Sequence, residues 1–111
     1  MQPSRLTQLQ TFLENEPNDS FLKYAIATEY LKLNDLDEAL KYFTDLVKSD
    51  ESYVGTYYHL GKLYEKLEQR ENAETTYRKG LLVARKASKM HAASELQQAL
   101  NSLLGLDYED D

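Results

Sequence analysis

The chain contains no cysteine and no tryptophan, and only four glycines, two prolines and two histidines among its 111 residues. Without cysteine it forms no disulfide, offers no thiolate to zinc and carries no thiol nucleophile. A reducing compartment fits that composition, and a soluble, cytoplasmic protein is the expectation. So few glycines and prolines leave little sequence for turns, which points to a mostly helical chain. Long apolar runs are missing as well. No segment approaches the roughly 20 residues needed to span a bilayer, and residues 1–5 carry no apolar stretch of signal-peptide length, so no membrane partner is expected. Positive charge is outweighed: 13 Lys and Arg face 19 Asp and Glu, a net charge of −6 that opposes non-specific attraction to nucleic acid. His59 and His91 are too few and badly placed for a metal cage or a triad. No glycine-rich phosphate loop, His-Glu-x-x-His or Gly-x-Ser-x-Gly sequence occurs. The reading is therefore not an enzyme, with no catalytic residue, metal or cofactor.

What is present is a copy of itself. Shifted by 34 residues, Tyr24 falls on Tyr58, Ile26 on Leu60, Ala27 on Gly61, Tyr30 on Tyr64 and Leu33 on Leu67. The register continues through Ala39 on Ala73, Phe43 on Tyr77 and Val47 on Leu81. Self-similarity at a fixed period indicates one supersecondary unit stacked on copies of itself. Apolar residues recur at helical spacing, and no stretch alternates with period two over strand length.

The spacing predicts six helices. The first covers about 5–15, with Ser4 as N-cap and Pro17 as stop. Asn18, Asp19 and Ser20 offer capping oxygens to a second, about 21–33. Asn34 suits the left-handed conformation that ends it, and Asp35 with Glu38 resembles a capping box opening a third, to about 48. Helices four and five cover about 53–67 and 70–84, joined by Glu68-Gln69, a turn poorer in cap chemistry than Asn34-Asp35. The sixth, about 88–104, carries Ala93, Leu96, Leu100, Leu103 and Leu104 on one face and Lys89, Ser94, Glu95, Gln97, Gln98 and Asn101 on the other, as a lid over a stack does. No Pro or Gly lies between Arg85 and Ser88, so fusion of helices five and six is the alternative. Residues 105–111 read as an acidic tail.

These residues resemble the tetratricopeptide repeat, in a small stand-alone protein of bacterial type. The second copy reads Tyr57, Leu60-Gly61, Tyr64, then Ala73 and Tyr77; the first reads Ile26-Ala27, Tyr30, then Ala39 and Phe43. The resemblance implies an all-α, right-handed α-α superhelix: a single domain over 1–111, with an N-terminal half-repeat helix (4–16), two helix–turn–helix units (20–53 and 54–87), a capping helix (88–104) and the tail. Ala27, Gly61, Ala39 and Ala73 would be small where paired helices approach most closely. Tyr30, Tyr64, Phe43 and Tyr77 would fill the wedges between helices, each burial contributing roughly 1.5–3 kcal/mol. Three features depart from the family pattern. Lys23 stands where an aromatic is favoured, with Leu22 and Tyr24 beside it, and Glu51 and Arg85 replace the terminal proline.

The resemblance also implies a concave groove lined by the first helix of each unit, where a protein or peptide partner binds. Phe21, Tyr24, Thr28 and Leu31, then Gly55, Tyr58, Lys62 and Glu65, are spaced to face it, with His59 and Lys66 alongside. Tyr24 and Tyr58 are either contact residues or packing against a neighbouring helix. The Lys/Asn clamp that some members use on chaperone tails is absent, since Tyr24, Thr28, His59 and Ala93 stand on the corresponding faces. Arg78, Lys79, Arg85, Lys86 and Lys89 form a basic run. It complements a helix dipole, or receives an acidic partner or the chain's own tail. Carboxylates sit at spacings that suit lysine pairing, such as Asp37 with Lys41. The function expected is a protein-interaction module, scaffold or adaptor. The alternative is self-assembly into a homodimer or larger oligomer through an open N-terminal face of Leu6, Leu9 and Phe12.

Overall fold

The computed structural model describes residues 4–106, which form six α-helices and no strand. The acidic stretch 107–111 lies outside the described residues. The helices fall into two compact units that divide in the sequence between Tyr53 and Val54.

The first unit holds α1 (Arg5–Asn15), α2 (Ser20–Lys32) and α3 (Leu36–Ser49). Each starts on a side-chain cap. Thr7 N–H donates to Ser4 Oγ at 3.1 Å, Leu22 N–H to Asp19 Oδ1 at 3.0 Å, and Glu38 N–H to Asp35 Oδ1 at 3.3 Å. Each such bond satisfies an orphan donor of the first turn and is worth about 1 kcal/mol. α2 packs on both α1 and α3. Leu9 is buried with Ala25 and Ile26, and Leu6, Leu13, Leu22 and Tyr30 close around them. The expected open face of Leu6, Leu9 and Phe12 is therefore largely covered, because the stripe of Leu6, Leu9 and Leu13 seats on α2. Phe12 alone stays out, 56% exposed.

Ala27, Ala39 and Phe43 are fully buried. Lys23 replaces the expected aromatic by burying its stem. Its side chain is 11% exposed, and the ammonium reaches Asp45 at 3.1 Å and Ser49 Oγ at 3.2 Å. The predicted Asp37–Lys41 pair is superseded by Lys41 with Glu38 at 2.8 Å, one turn away on the same face.

The second unit holds α4 (Gly55–Lys66), α5 (Arg70–Lys86) and α6 (Met90–Leu104), with α6 packed on α5 and touching α4. None of the three starts on a side-chain cap. α4 and α5 interlock through two glycines. A Cβ on Gly61 would lie 2.1 Å from Cε1 of Tyr77, and one on Gly80 would lie 2.5 Å from Cβ of Tyr57. Each helix thus gives up a side chain so that the other's ring can be fully buried. α6 seats Ala93, Leu96, Leu100 and Leu103 as expected, and Ala99 as well.

α2, α4 and α5 end on left-handed residues that carry a side chain: Asn34 (φ 59°), Glu68 (φ 61°) and Ser88 (φ 58°). The bonding repeats from one end to the next. Asp35 N–H donates to Tyr30 C=O at 2.9 Å, Gln69 to Tyr64 at 2.8 Å, and Lys89 to Ala84 at 2.8 Å. This is the Schellman arrangement, which satisfies carbonyls the helix leaves unpaired. Its recurrence at Ser88 separates α5 from α6, so they are two helices although neither Pro nor Gly marks the break. Phe43 and Tyr77 are fully buried wedges, whereas Tyr30 and Tyr64 are only half-buried. Tyr30 keeps its hydroxyl at the edge, where it accepts from Gln10 Nε2 at 3.0 Å.

Candidate functional site

In the second unit α4 and α6 enclose an open pocket of about 280 Å³ lined by Tyr58, Lys62, Glu95, Gln98, Ala99 and Ser102. Tyr58 and Lys62 lie one helical turn apart and share a face of α4. Lys62 Nζ sits 5.6 Å from the centroid of the Tyr58 ring, within cation–π range, and 3.9 Å from the Glu65 carboxylate. Ala99 presents a methyl between Glu95 and Ser102, and that small side chain leaves room for the space. The sequence reading assigned Glu95 and Gln98 to a wet outer face of α6; in the structure that face is the pocket's second wall. The signal was present as small or polar residues recurring at 95, 98, 99 and 102.

Glu65, another predicted groove residue, is engaged by the core. The hydroxyl of Tyr77 donates to Glu65 Oε2, which ties the wedge ring to the face of α4. Burial, and then this bond to a carboxylate, push the Tyr77 phenol well above its ordinary value. His59 meets Tyr58 edge-on, with ring centroids 5.7 Å apart. Burial holds its imidazole below the usual value, and the Glu95 carboxylate opposes that shift. Lys66 is exposed on the last turn of α4, where its charge complements the helix dipole.

The predicted residues of the first unit behave differently. Tyr24 packs between Phe43 (6.4 Å, edge-on) and Tyr53 (5.6 Å), the packing alternative raised by its position. Thr28 turns its hydroxyl back onto the Ala25 carbonyl at 2.9 Å. Leu31 is half-buried, and Phe21 projects into solvent, 58% exposed. Tyr58 and Lys62, by contrast, line one pocket together on α4.

The α4–α6 pocket sets a cation against an aromatic face and a carboxylate with amide and hydroxyl groups opposite. Such a set recognises a polar or charged segment by pairing and stacking. No group of three or more His, Cys, Asp or Glu among the described residues could hold a metal ion. No helix among them is long and apolar enough to cross a membrane.

Comparison with known proteins bears on the family and the fold. Residues 22–53 and 54–86 each match the tetratricopeptide repeat family. The chain is similar to a tetratricopeptide repeat domain protein from Salinibacter ruber. Against its solution structure the identity is 45% over 86% of this chain and 96% of that one, with a TM-score of 0.77. Against a crystal structure from the same organism it is 47% over 80% and 100%, also with a TM-score of 0.77. A protein from Bordetella parapertussis shares the fold at 22% identity, with a TM-score of 0.81 over 96% of this chain and 92% of that one. No curated protein matches the chain. Repeats of this kind generally mediate protein–protein interaction or scaffolding and are typically non-enzymatic. With both of its copies matched and relatives above 40% identity over most of its length, the chain belongs to the tetratricopeptide repeat family.

Proposed function

We propose that this protein is a non-enzymatic interaction module that takes a peptide or helix of a partner protein into the pocket between α4 and α6. The observation that carries the reading is the convergence of Tyr58 and Lys62 with Glu95, Gln98 and Ser102 around one open space. Tyr58 offers a stiff, amphipathic contact surface at low entropic cost, and Lys62 offers a charge for an acidic side chain of the ligand. Glu95, with the Gln98 amide and the Ser102 hydroxyl beside it on α6, suits the ligand's backbone and a donor group. The ligand class is thus a segment mixing apolar and acidic residues.

The test is affinity capture from the native cell extract, with identification of the captured protein and then measurement of its dissociation constant. Tyr58→Ala and the charge reversal Lys62→Glu with Lys66→Glu are each expected to weaken that complex at least tenfold. Unchanged affinity in both variants would remove this pocket as the site. Self-assembly is a second reading, favoured only by the exposure of Phe12 now that Leu9 is covered. Light scattering at a constant 12.9 kDa across concentrations would end it.

A further inference from the structure

The other side of α6 carries a surface of opposite chemistry. α5 and α6 enclose a second open pocket, about 330 Å³, lined by Leu81, Leu82, Leu100, Arg78, Arg85 and Gln97. Leu82 stands at it 68% exposed, a large apolar side chain left in water beside a concavity. Arg78 and Arg85 are seven residues apart on α5, which is two turns, or about 10 Å along one face. One guanidinium therefore stands toward each end of the apolar floor. The sequence from Arg78 to Met90 contains five cations and no acid, within a chain of net charge −6.

The contacts that engage the two arginines are replaceable. Arg78 pairs with Glu74 at 2.9 Å across one helical turn, both side chains being substantially exposed. Such a pair contributes little and exchanges readily for an equivalent carboxylate. Arg85 donates to the neutral Gln97 amide at 3.1 Å. A carboxylate would be the stronger acceptor, with bidentate geometry available to it.

We propose that this α5–α6 face is a second interaction surface, for an acidic amphipathic segment of a partner protein. Its apolar side chain would seat on Leu81, Leu82 and Leu100, and carboxylates on either side would pair with Arg78 and Arg85. A helix with acids seven residues apart and a leucine between them matches that spacing. A second copy of this chain fits poorly on the same face. Two-fold pairing would set both arginines against their own counterparts.

The probe is a capped, fluorescein-labelled peptide of two heptads with leucines on one face and glutamates flanking them, titrated at low and at moderate salt. Its counterpart carries lysine at every glutamate position. Wild-type protein is expected to bind the acidic peptide with a salt-sensitive, micromolar dissociation constant and the lysine peptide at least tenfold more weakly. Arg78→Glu with Arg85→Glu should weaken the acidic peptide at least tenfold, and Leu82→Asp at least fivefold. Because the α4–α6 pocket is proposed for a similar ligand, Lys62→Glu is the competing arm. It should weaken the peptide less than the double arginine variant does, and an equal or larger loss would place the peptide in that pocket and overturn the proposal. Circular dichroism confirms that the variants remain helical, and all the substituted positions are exposed. Equal binding of both peptides, or unchanged affinity in the double variant and in Leu82→Asp, overturns the proposal. If the chain truncated after Leu106 bound the peptide tenfold more tightly, the occupant would be its own acidic residues 107–111. The separate partner would then fall.

Discussion

Phe43 and Tyr77 stand 34 residues apart, one in each unit, and both rings are completely buried between helices. The residues around them differ as a set. Where the first unit has Ala27, Leu31 and Phe43, the second has Gly61, Glu65 and Tyr77. The tyrosine brings a hydroxyl that cannot be buried without a partner, and Glu65 supplies the acceptor. Its ring comes so close to α4 that even a methyl at position 61 would collide with it. The same wedge is thus apolar in one unit and polar in the other, with three positions changed together. The consequence reaches the surface. Satisfying Tyr77 puts a carboxylate on α4 beside Lys62, whereas α2 shows Leu31 and Thr28 at the matching places. The candidate pocket and the wedge are two ends of one network.

The comparison can be broken at its centre. Phe43→Ala and Tyr77→Ala are each expected to cost about 3–5 kcal/mol, since each removes a fully buried ring. Chemical denaturation monitored by circular dichroism checks this. If one variant kept wild-type stability, the two positions would not be equivalent wedges.

The next effect is smaller and opposite in design. Gly61→Ala adds a methyl into the Tyr77 ring and should destabilise by about 1–3 kcal/mol from overpacking, offset by up to about 1 kcal/mol of helix propensity. Ala27→Gly in the first unit should also destabilise, because it removes a buried methyl and loosens the helix. A Gly61→Ala variant more stable than wild type would show that the slot accommodates a side chain.

Tyr77→Phe separates the hydroxyl from the ring. Glu65 is partly exposed and regains water, so the expected loss at neutral pH is about 0.5–1.5 kcal/mol. The pH dependence has a definite sign. A phenol whose folded value lies above its unfolded value near 10 contributes fully below pH 10, and the contribution is lost as pH rises beyond it. Thermal melts from pH 9 to 11.5 should therefore fall more steeply for wild type than for Tyr77→Phe. Parallel curves would mean that the phenol is not held protonated by its surroundings.

What the sequence made legible was whatever repeats. The family resemblance that the 34-residue repeat carries implied core places for Ala27, Ala39, Phe43, Gly61, Ala73 and Tyr77, all of which are buried, and for Tyr30 and Tyr64, which are half-buried. Residues whose role depends on non-repeating neighbours were harder to read. Tyr24 and Tyr58 are repeat equivalents, yet Tyr24 packs on Tyr53 while Tyr58 lines a pocket whose other wall is α6, an element with no counterpart in the first unit. Gly80 carried its meaning through Tyr57 and, at longer range, Leu96 of α6, since its equivalent, Leu46, is itself fully buried. The left-handed Glu68 and Ser88 were hidden because neither residue type advertises that conformation.

The turns provide the gentlest and most constructive comparison. Asn34-Asp35 and Glu68-Gln69 share one backbone path, with a left-handed residue followed by the N-cap of the next helix. In the first unit both residues suit their places: asparagine tolerates positive φ, and Asp35 accepts the Glu38 N–H. In the second, glutamate is strained by comparison and Gln69 caps nothing with its side chain. Moving the first turn's chemistry into the second, as Glu68→Asn with Gln69→Asp, should stabilise the protein by about 1 kcal/mol, most of it from the new cap. The reverse exchange, Asn34→Glu with Asp35→Gln, should cost about as much. Matching shifts of opposite sign would show that the two turns are interchangeable parts of one repeat. If the first exchange changed nothing, the unit's neighbours rather than its own turn would set where α5 begins.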